Sequence, residues 1–289
     1  MGDDLVDVSL PIGPISVSVN GLLRKLFGRL KKGPADVVAE RFLALFGAHG
    51  VAVQQIPRLL PQVTLAGLNS HDALVGALTN EVLDGAAALF GIQRDWLDGT
   101  TDELYQCRWC YKEPARLFED LATLNPDTFR EPLLALSCTP RLSATGGRGQ
   151  WLVLLLAEAA AELGEGEVLR FCIYGDSWDW GYAPSRIQVK AMVRLAYLHA
   201  GRPVPLFRVS SEELEAVRDG KRVPSACVSG HGLNGVSLED YGLSSLESVQ
   251  AKEVEELPAV LRYIEENGLE AAAARAVEAR RREGAGFPP

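Results

Sequence analysis

The chain has 289 residues, a mass of 31.3 kDa, 47% hydrophobic and 23% charged residues, and a formal net charge of -9. This composition excludes a chain disordered throughout and leaves room for two domains of ordinary size. The longest apolar runs, such as 151–157, fall short of the roughly 18 to 20 residues of a spanning helix, and Met1-Gly2-Asp3-Asp4 is acidic where a secretory signal is basic, so a cytoplasmic protein with no membrane span is expected. Five cysteines, an odd number over a long chain, point to reduced thiols rather than a disulfide framework.

Charge is unevenly placed. Residues 21–60 hold seven cations against Asp36 and Glu40, a local +5 that leaves -14 for the rest of the chain. Within the N-terminal extension, residues 1–35, the segment 21–32 sets Leu22, Leu23, Leu26, Phe27 and Leu30 at helical spacing beside Arg24, Lys25, Arg29, Lys31 and Lys32. Such a basic amphipathic helix suits DNA phosphates, an anionic membrane or a partner's acidic face; its apolar stripe can equally dock on the chain's own core. Ahead of it, Val6, Val8 and Leu10 alternate as in an extended segment.

Residues 36–104 read as a helical bundle. Val38, Phe42, Leu45 and Phe46 share one helical face before the stop at Gly50, and Pro57 fits the first turn of a short helix over 53–60. Ser70 and Thr79 are placed to cap the next two helices, the second ending at Gly91, and Arg94-Asp95-Trp96-Leu97-Asp98-Gly99 closes the bundle. A connecting helical segment over 105–132 leads to residues 133–247, where strand and helix patterns alternate. The periodicity predicts strands over 133–138, 168–174 and 204–209, and helices over 150–163, 184–200 and 211–218, the last with Ser210 and Glu213 as a capping box. Residues 248–289 read as C-terminal helices, acidic at Glu253, Glu255 and Glu256 and basic at Arg280, Arg281 and Arg282. The expected fold is therefore α+β and multidomain: an all-α bundle, an α/β layered domain, and C-terminal helices.

The succession Arg41-Phe42-Leu43-Ala44-Leu45-Phe46, the segments 53–60 and 64–68, and Leu89-Phe90-Gly91-Ile92 followed by Trp96-Leu97-Asp98-Gly99 resembles the lambda-repressor-like helix-turn-helix domain of bacterial regulators. The resemblance spans about a fifth of the chain. It implies a recognition helix over 62–69, offering Gln62, Thr64 and Asn69 to base edges but no Arg or Lys, with Arg58 and the basic segment on phosphates. It also implies double-stranded DNA as partner and a homodimer pairing two half-sites.

In the α/β domain the cluster 174–182 is placed after a strand and before a helix, where ligands collect. Asp176, Trp178, Asp179, Trp180 and Tyr182, with Arg186, Lys190 and Arg194 as a ridge at i, i+4 and i+8, suit a small anionic or planar metabolite; alternatively the carboxylates pair with the ridge and the tryptophans fill the core. Gly146-Gly147-Arg148-Gly149 has the position of a phosphate-cradling loop without the P-loop ending, and reads equally as a surface loop. Cys107 and Cys110, with Cys227 and His231, are two widely separated halves of a zinc pattern, and no metal or other cofactor is expected. No nucleophile motif accompanies His231, and no catalytic residue is assigned. These features describe a DNA-binding transcriptional regulator with a ligand-sensing or dimerisation domain. The alternatives are a protein-interaction module whose bundle no longer binds DNA, and an enzyme acting through Asp176, Asp179 and Lys190.

Overall fold

The computed structural model describes residues 33–124, 133–164, 166–200, 204–228, 233–237 and 255–284. The fold is α+β, and the chain divides into two compact units, one comprising Met1–Leu104 and Ala161–Val168, the other Tyr105–Ala160 and Leu169–Pro289. The extended segment around Val6, the basic residues Arg24, Lys25, Arg29, Lys31 and Lys32, His231 and Glu253 lie outside the described residues, as do the side chains of Arg280, Arg281 and Arg282.

Local capping sets the helices of the first unit. Helix α1 (Pro34–Ala48) starts with Pro34 in its first turn and Asp36 accepting the Gly33 N–H at 2.6 Å, and it runs out at Gly50, whose φ of 75° only glycine adopts freely. After a 3-10 turn at Val53–Gln55, α2 (Ile56–Leu59) tolerates Pro57 at its start. Ser70 accepts the Ala73 N–H to open α3 (His71–Ala77), Thr79 accepts the Val82 N–H to open α4 (Asn80–Phe90), and α4 ends in the left-handed Gly91. The short α5 (Arg94–Leu97) is held by Arg41, which donates to the Trp96 and Thr101 carbonyls at 2.6 Å each. The core is aromatic: Phe46 meets Phe90 edge-on at 5.0 Å, and His49 stacks on Phe90 at 4.0 Å.

In the second unit, α6 (Ala115–Ala122) precedes a five-stranded sheet in the order β3-β2-β1-β4-β5. Strand β1 (Leu133–Ser137) is central, antiparallel to β2 (Trp151–Leu163) and parallel to β4 (Pro205–Arg208), which pairs antiparallel with β5 (Leu233–Ser237). Beyond β2 lies β3 (Gly166–Asp179), and residues around Arg108 cover its outer edge: the Arg108 N–H donates to the Ile173 carbonyl at 2.8 Å. Helix α7 (Ala183–Ala200) packs against α10 (Leu257–Glu266) and α11 (Leu269–Gly284), and α11 also packs on α6. Helix α8 (Ser211–Arg218), opened by the Ser210/Glu213 capping box, lies against β1; the short α9 (Ser225–Val228) contacts β4.

The structure corrects two expectations about elements. Residues 150–163, read as a helix apolar nearly all round, are strand β2. Leu152, Val153, Leu154, Leu155 and Leu156 are each at most 1% exposed, so both faces of the strand are covered and the apolar run has no alternation to betray it. Burial of each such side chain stabilises by about 2 kcal/mol, which outweighs the weak helix preference of the Leu and Ala residues. The second correction is at 62–69, which forms turns rather than a recognition helix. Pro61 and Gly67 disfavour a continuous helix there, and the Thr64 hydroxyl is used within the segment, accepting the Gly67 N–H at 3.2 Å.

Candidate functional site

Strand β3 continues to Asp179, past the point near Tyr174 where its apolar pattern ends. The cluster 174–182 is consequently mostly sheet rather than a loop at a crevice. Trp178 and Trp180 are 0% and 1% exposed and belong to the hydrophobic core, with Tyr111 meeting Trp178 edge-on at 5.2 Å. Of the two readings of the tryptophans, core filling is the one their burial fits.

Both carboxylates are held by backbone N–H groups of the chain itself. Asp176 accepts from Cys110 at 2.8 Å and Tyr111 at 3.2 Å, which pins the edge-covering segment to β3. Burial raises the Asp176 carboxyl above its ordinary value, and these two amides pull the other way. Asp179 accepts from Gly149 and Gln150 at 3.1 Å and from Gly181 at 2.9 Å. The glycine-rich loop thus does turn amides toward an anion, as its composition suggests, but the anion is this chain's own aspartate. Gly181 passes so close that a Cβ there would sit 1.7 Å from the Gly147 carbonyl oxygen, and no other residue fits. Arg148 covers the Tyr182 ring at 4.3 Å.

The cationic ridge converges on a residue that sequence reasoning passed over. Arg186, 3% exposed, donates through Nε to Glu256 at 2.9 Å and through a second nitrogen to the other carboxylate oxygen, while Nη1 reaches the Trp180 carbonyl at 2.5 Å. Lys190, 1% exposed, donates to the same Glu256 at 2.9 Å and stands 5.5 Å from the Trp180 ring centroid. Burial would raise the Glu256 carboxyl, yet the bonds from Arg186 and Lys190 prevail and hold it below its ordinary value. Arg194 is half-buried further along α7 and is not drawn into this knot by any described contact. Two cations buried on α7 had to have a counter-charge, and the acidic run near Glu256 was the available signal for it; pairing across 66 and 70 residues cannot be read from spacing.

A second polar knot lies between α6 and β3. The Tyr174 hydroxyl donates to Asp120 at 2.7 Å, and Arg108 pairs with the same carboxylate. Nearby, burial pushes the Cys172 thiol up to about 11 and the Cys110 thiol higher still, which disfavours the thiolates that redox or nucleophilic chemistry requires. Cys107, Cys110 and Cys227 form no disulfide, the Cys107 thiol donating to the Arg218 carbonyl at 3.3 Å, and among the described residues no group of three His, Cys, Asp or Glu side chains is arranged to hold a metal ion.

The residues assigned to DNA are only partly gathered. Arg58, Gln62, Thr64 and Asn69 are all exposed, Arg58 at the end of α2 and the other three among turns. Around them the unit is acidic. Residues 33–104 hold Arg41, Arg58 and Arg94 against nine carboxylates, from Asp36 to Glu103, a balance of -6. Two of the three arginines are engaged, Arg41 with Asp102 at 3.1 Å and Arg94 with Asp84 at 3.0 Å. No single helix among the described residues is long and apolar enough to cross a membrane. Comparison with known proteins finds no matching family model, no matching curated protein and no matching solved structure.

Proposed function

We propose that this protein acts through protein contact, with the helical unit as the contact surface for a basic partner and the α/β unit as a closed scaffold. The observation that carries this reading is the charge of residues 33–104, nine carboxylates against three arginines, which repels a phosphate backbone and attracts a cationic surface. The α/β unit supports it from the other side. Trp178 and Trp180 are buried in its core and Arg186 and Lys190 are buried on Glu256, so a small metabolite at this cluster would have to displace Glu256 from both cations.

A second reading, a DNA-binding regulator of the lambda-repressor-like kind acting as a homodimer, is favoured by one observation, the five cations in residues 21–32. The two readings separate in a single experiment on the full chain. Duplexes selected from a random library are titrated by fluorescence anisotropy against wild type and against a Gln62→Ala, Thr64→Ala, Asn69→Ala variant. Protein contact predicts no selected sequence and only weak binding, equal in both proteins and lost with salt at a slope of about 0.9 per phosphate contact. A selected duplex bound tightly by wild type and released by the triple variant overturns it in favour of the regulator.

A further inference from the structure

The glycine-rich loop over 146–149 and the start of α7 meet at one place on the α/β unit. Gly181 packs directly on the Gly147 carbonyl, and the Arg148 guanidinium lies 4.3 Å from the centroid of the Tyr182 ring. The next residue, Ala183, begins the 18-residue α7. Arg148 is exposed, and no described carboxylate pairs with it.

The chain does not answer this helix start. Pro184 has no N–H, the Arg186 N–H is taken by the Tyr182 carbonyl, and no described residue accepts from the Ala183 or Ser185 N–H. The first turn holds no acidic side chain to meet the positive end of the helix dipole. Asp179, just ahead of the helix, is committed to the Gly149, Gln150 and Gly181 amides.

A separate observation comes from Ser185. It is 2% exposed, and its hydroxyl has no hydrogen-bond partner among the described residues, not even a carbonyl of the preceding turn. The Cα–Cβ bond of a helical residue tilts toward the helix N-terminus, so this hydroxyl is directed to the end of α7 where the two amides are free. Buried hydroxyls are ordinarily bonded, and this one can donate to the same acceptor as the amides.

We propose that this end of α7 binds the phosphate group of a small phosphomonoester. Its oxygens accept from the Ala183 and Ser185 N–H groups and the Ser185 hydroxyl, and the Arg148 guanidinium moves from the Tyr182 ring onto the oxygen left over. The donor set selects this class: a phosphomonoester offers three oxygens to three donors and a guanidinium, whereas a carboxylate offers two. The loop is the movable part. Gly147 and Gly149 flank Arg148 with φ of 79° and 94°, and a Cβ on either would meet no heavy atom within 4 Å. A shift of the loop admits the phosphate to the buried hydroxyl and leaves the knot of Arg186, Lys190 and Glu256 in place. The proposal does not rest on the protein-contact reading.

The test is titration of the full chain with inorganic phosphate and with glycerol phosphate, against chloride at matched ionic strength, followed by amide NMR spectra and calorimetry. The Ala183 and Ser185 amide resonances are expected to move with both phosphates and not with chloride, and glycerol phosphate is expected to bind at least as tightly as inorganic phosphate. Arg148→Gln and Ser185→Ala, each checked for an unchanged circular dichroism spectrum, should weaken binding about ten-fold or more, since each removes one hydrogen-bonding group from a charged ligand. Arg148 is exposed, so its variant keeps the test decisive even where Ser185→Ala disturbs the helix start. Four results overturn the proposal: phosphate that moves neither amide, a response that chloride matches, both variants binding like wild type, or inorganic phosphate bound and glycerol phosphate refused.

Discussion

The two units differ in whether they bury charge. In the helical unit nearly every carboxylate faces solvent and the interior is Phe42, Phe46, Phe90 and the stacked His49; in the α/β unit Asp176, Asp179, Arg186 and Lys190 are each no more than 6% exposed and are answered by amides or by Glu256. The difference separates what each surface can offer. Charges that remain in water keep a long-range field for a partner, whereas the few that the α/β unit has desolvated are committed to its own architecture.

The largest effect that would sharpen this contrast is Glu256→Ala. Removing the carboxylate that Arg186 and Lys190 share should destabilise the α/β unit by about 3–5 kcal/mol, while Arg186→Met, Lys190→Met and Glu256→Leu combined should recover much of the loss. Urea unfolding followed by the core tryptophans measures both. A loss below about 1 kcal/mol would mean that the buried ion cluster is not what closes the domain.

Trp178→Ala should cost the α/β unit a similar amount, about 3–5 kcal/mol, because the ring is wholly buried in the core. If the protein instead tolerates it with little change in denaturation midpoint, the indole is a site wall and the comparison between the units breaks down.

The helical unit is expected to begin losing stability at a higher pH than the α/β unit as the solution is acidified. Burial pushes the His49 imidazole from its ordinary 6.5 down to about 4, so between those values the unfolded chain binds a proton that the folded one refuses. Stability is therefore lost as pH falls through this window, by about 3 kcal/mol when complete. The His49→Phe variant should flatten the dependence of unfolding on pH between 6.5 and 4. For Glu256 the folded carboxyl is depressed, so its contribution is present above its ordinary 4.5 and disappears only below it. A urea midpoint of the helical unit that does not fall between pH 6.5 and 4 in wild type would contradict the first window.

The smallest expected change is on the surface. Asp95→Asn or Asp98→Asn should alter the urea midpoint of the helical unit by no more than about 0.5 kcal/mol, since exposed charges contribute little to folding. A larger loss would move these carboxylates from a contact surface into the architecture of the unit.

Where an element depends on neighbours within about four residues, its residues announce it: Ser70, Thr79 and Ser210 cap the helices that follow them, and Gly91 ends α4. The cluster 174–182 was harder. Its composition singled it out, yet the same aromatic and charged residues suit a pocket or a core, and that choice depends on what lies across the sheet. Charge followed the same division. The acidity of residues 33–104 is visible by counting, whereas Arg58, Gln62, Thr64 and Asn69 needed the fold to place them among turns rather than on one helix.

By itself, the sequence determined the caps at Ser70, Thr79 and Ser210, the stop at Gly91 and the concentration of cations over residues 21–32, because capping and composition are local. Only the tertiary structure decided that 151–163 is a strand, since a segment covered on both faces has no period to distinguish it from a buried helix. It alone decided the partner of Arg186 and Lys190 as well. A buried cation requires a counter-charge but not one at any given separation, and the chain supplied Glu256 by folding α10 back onto α7.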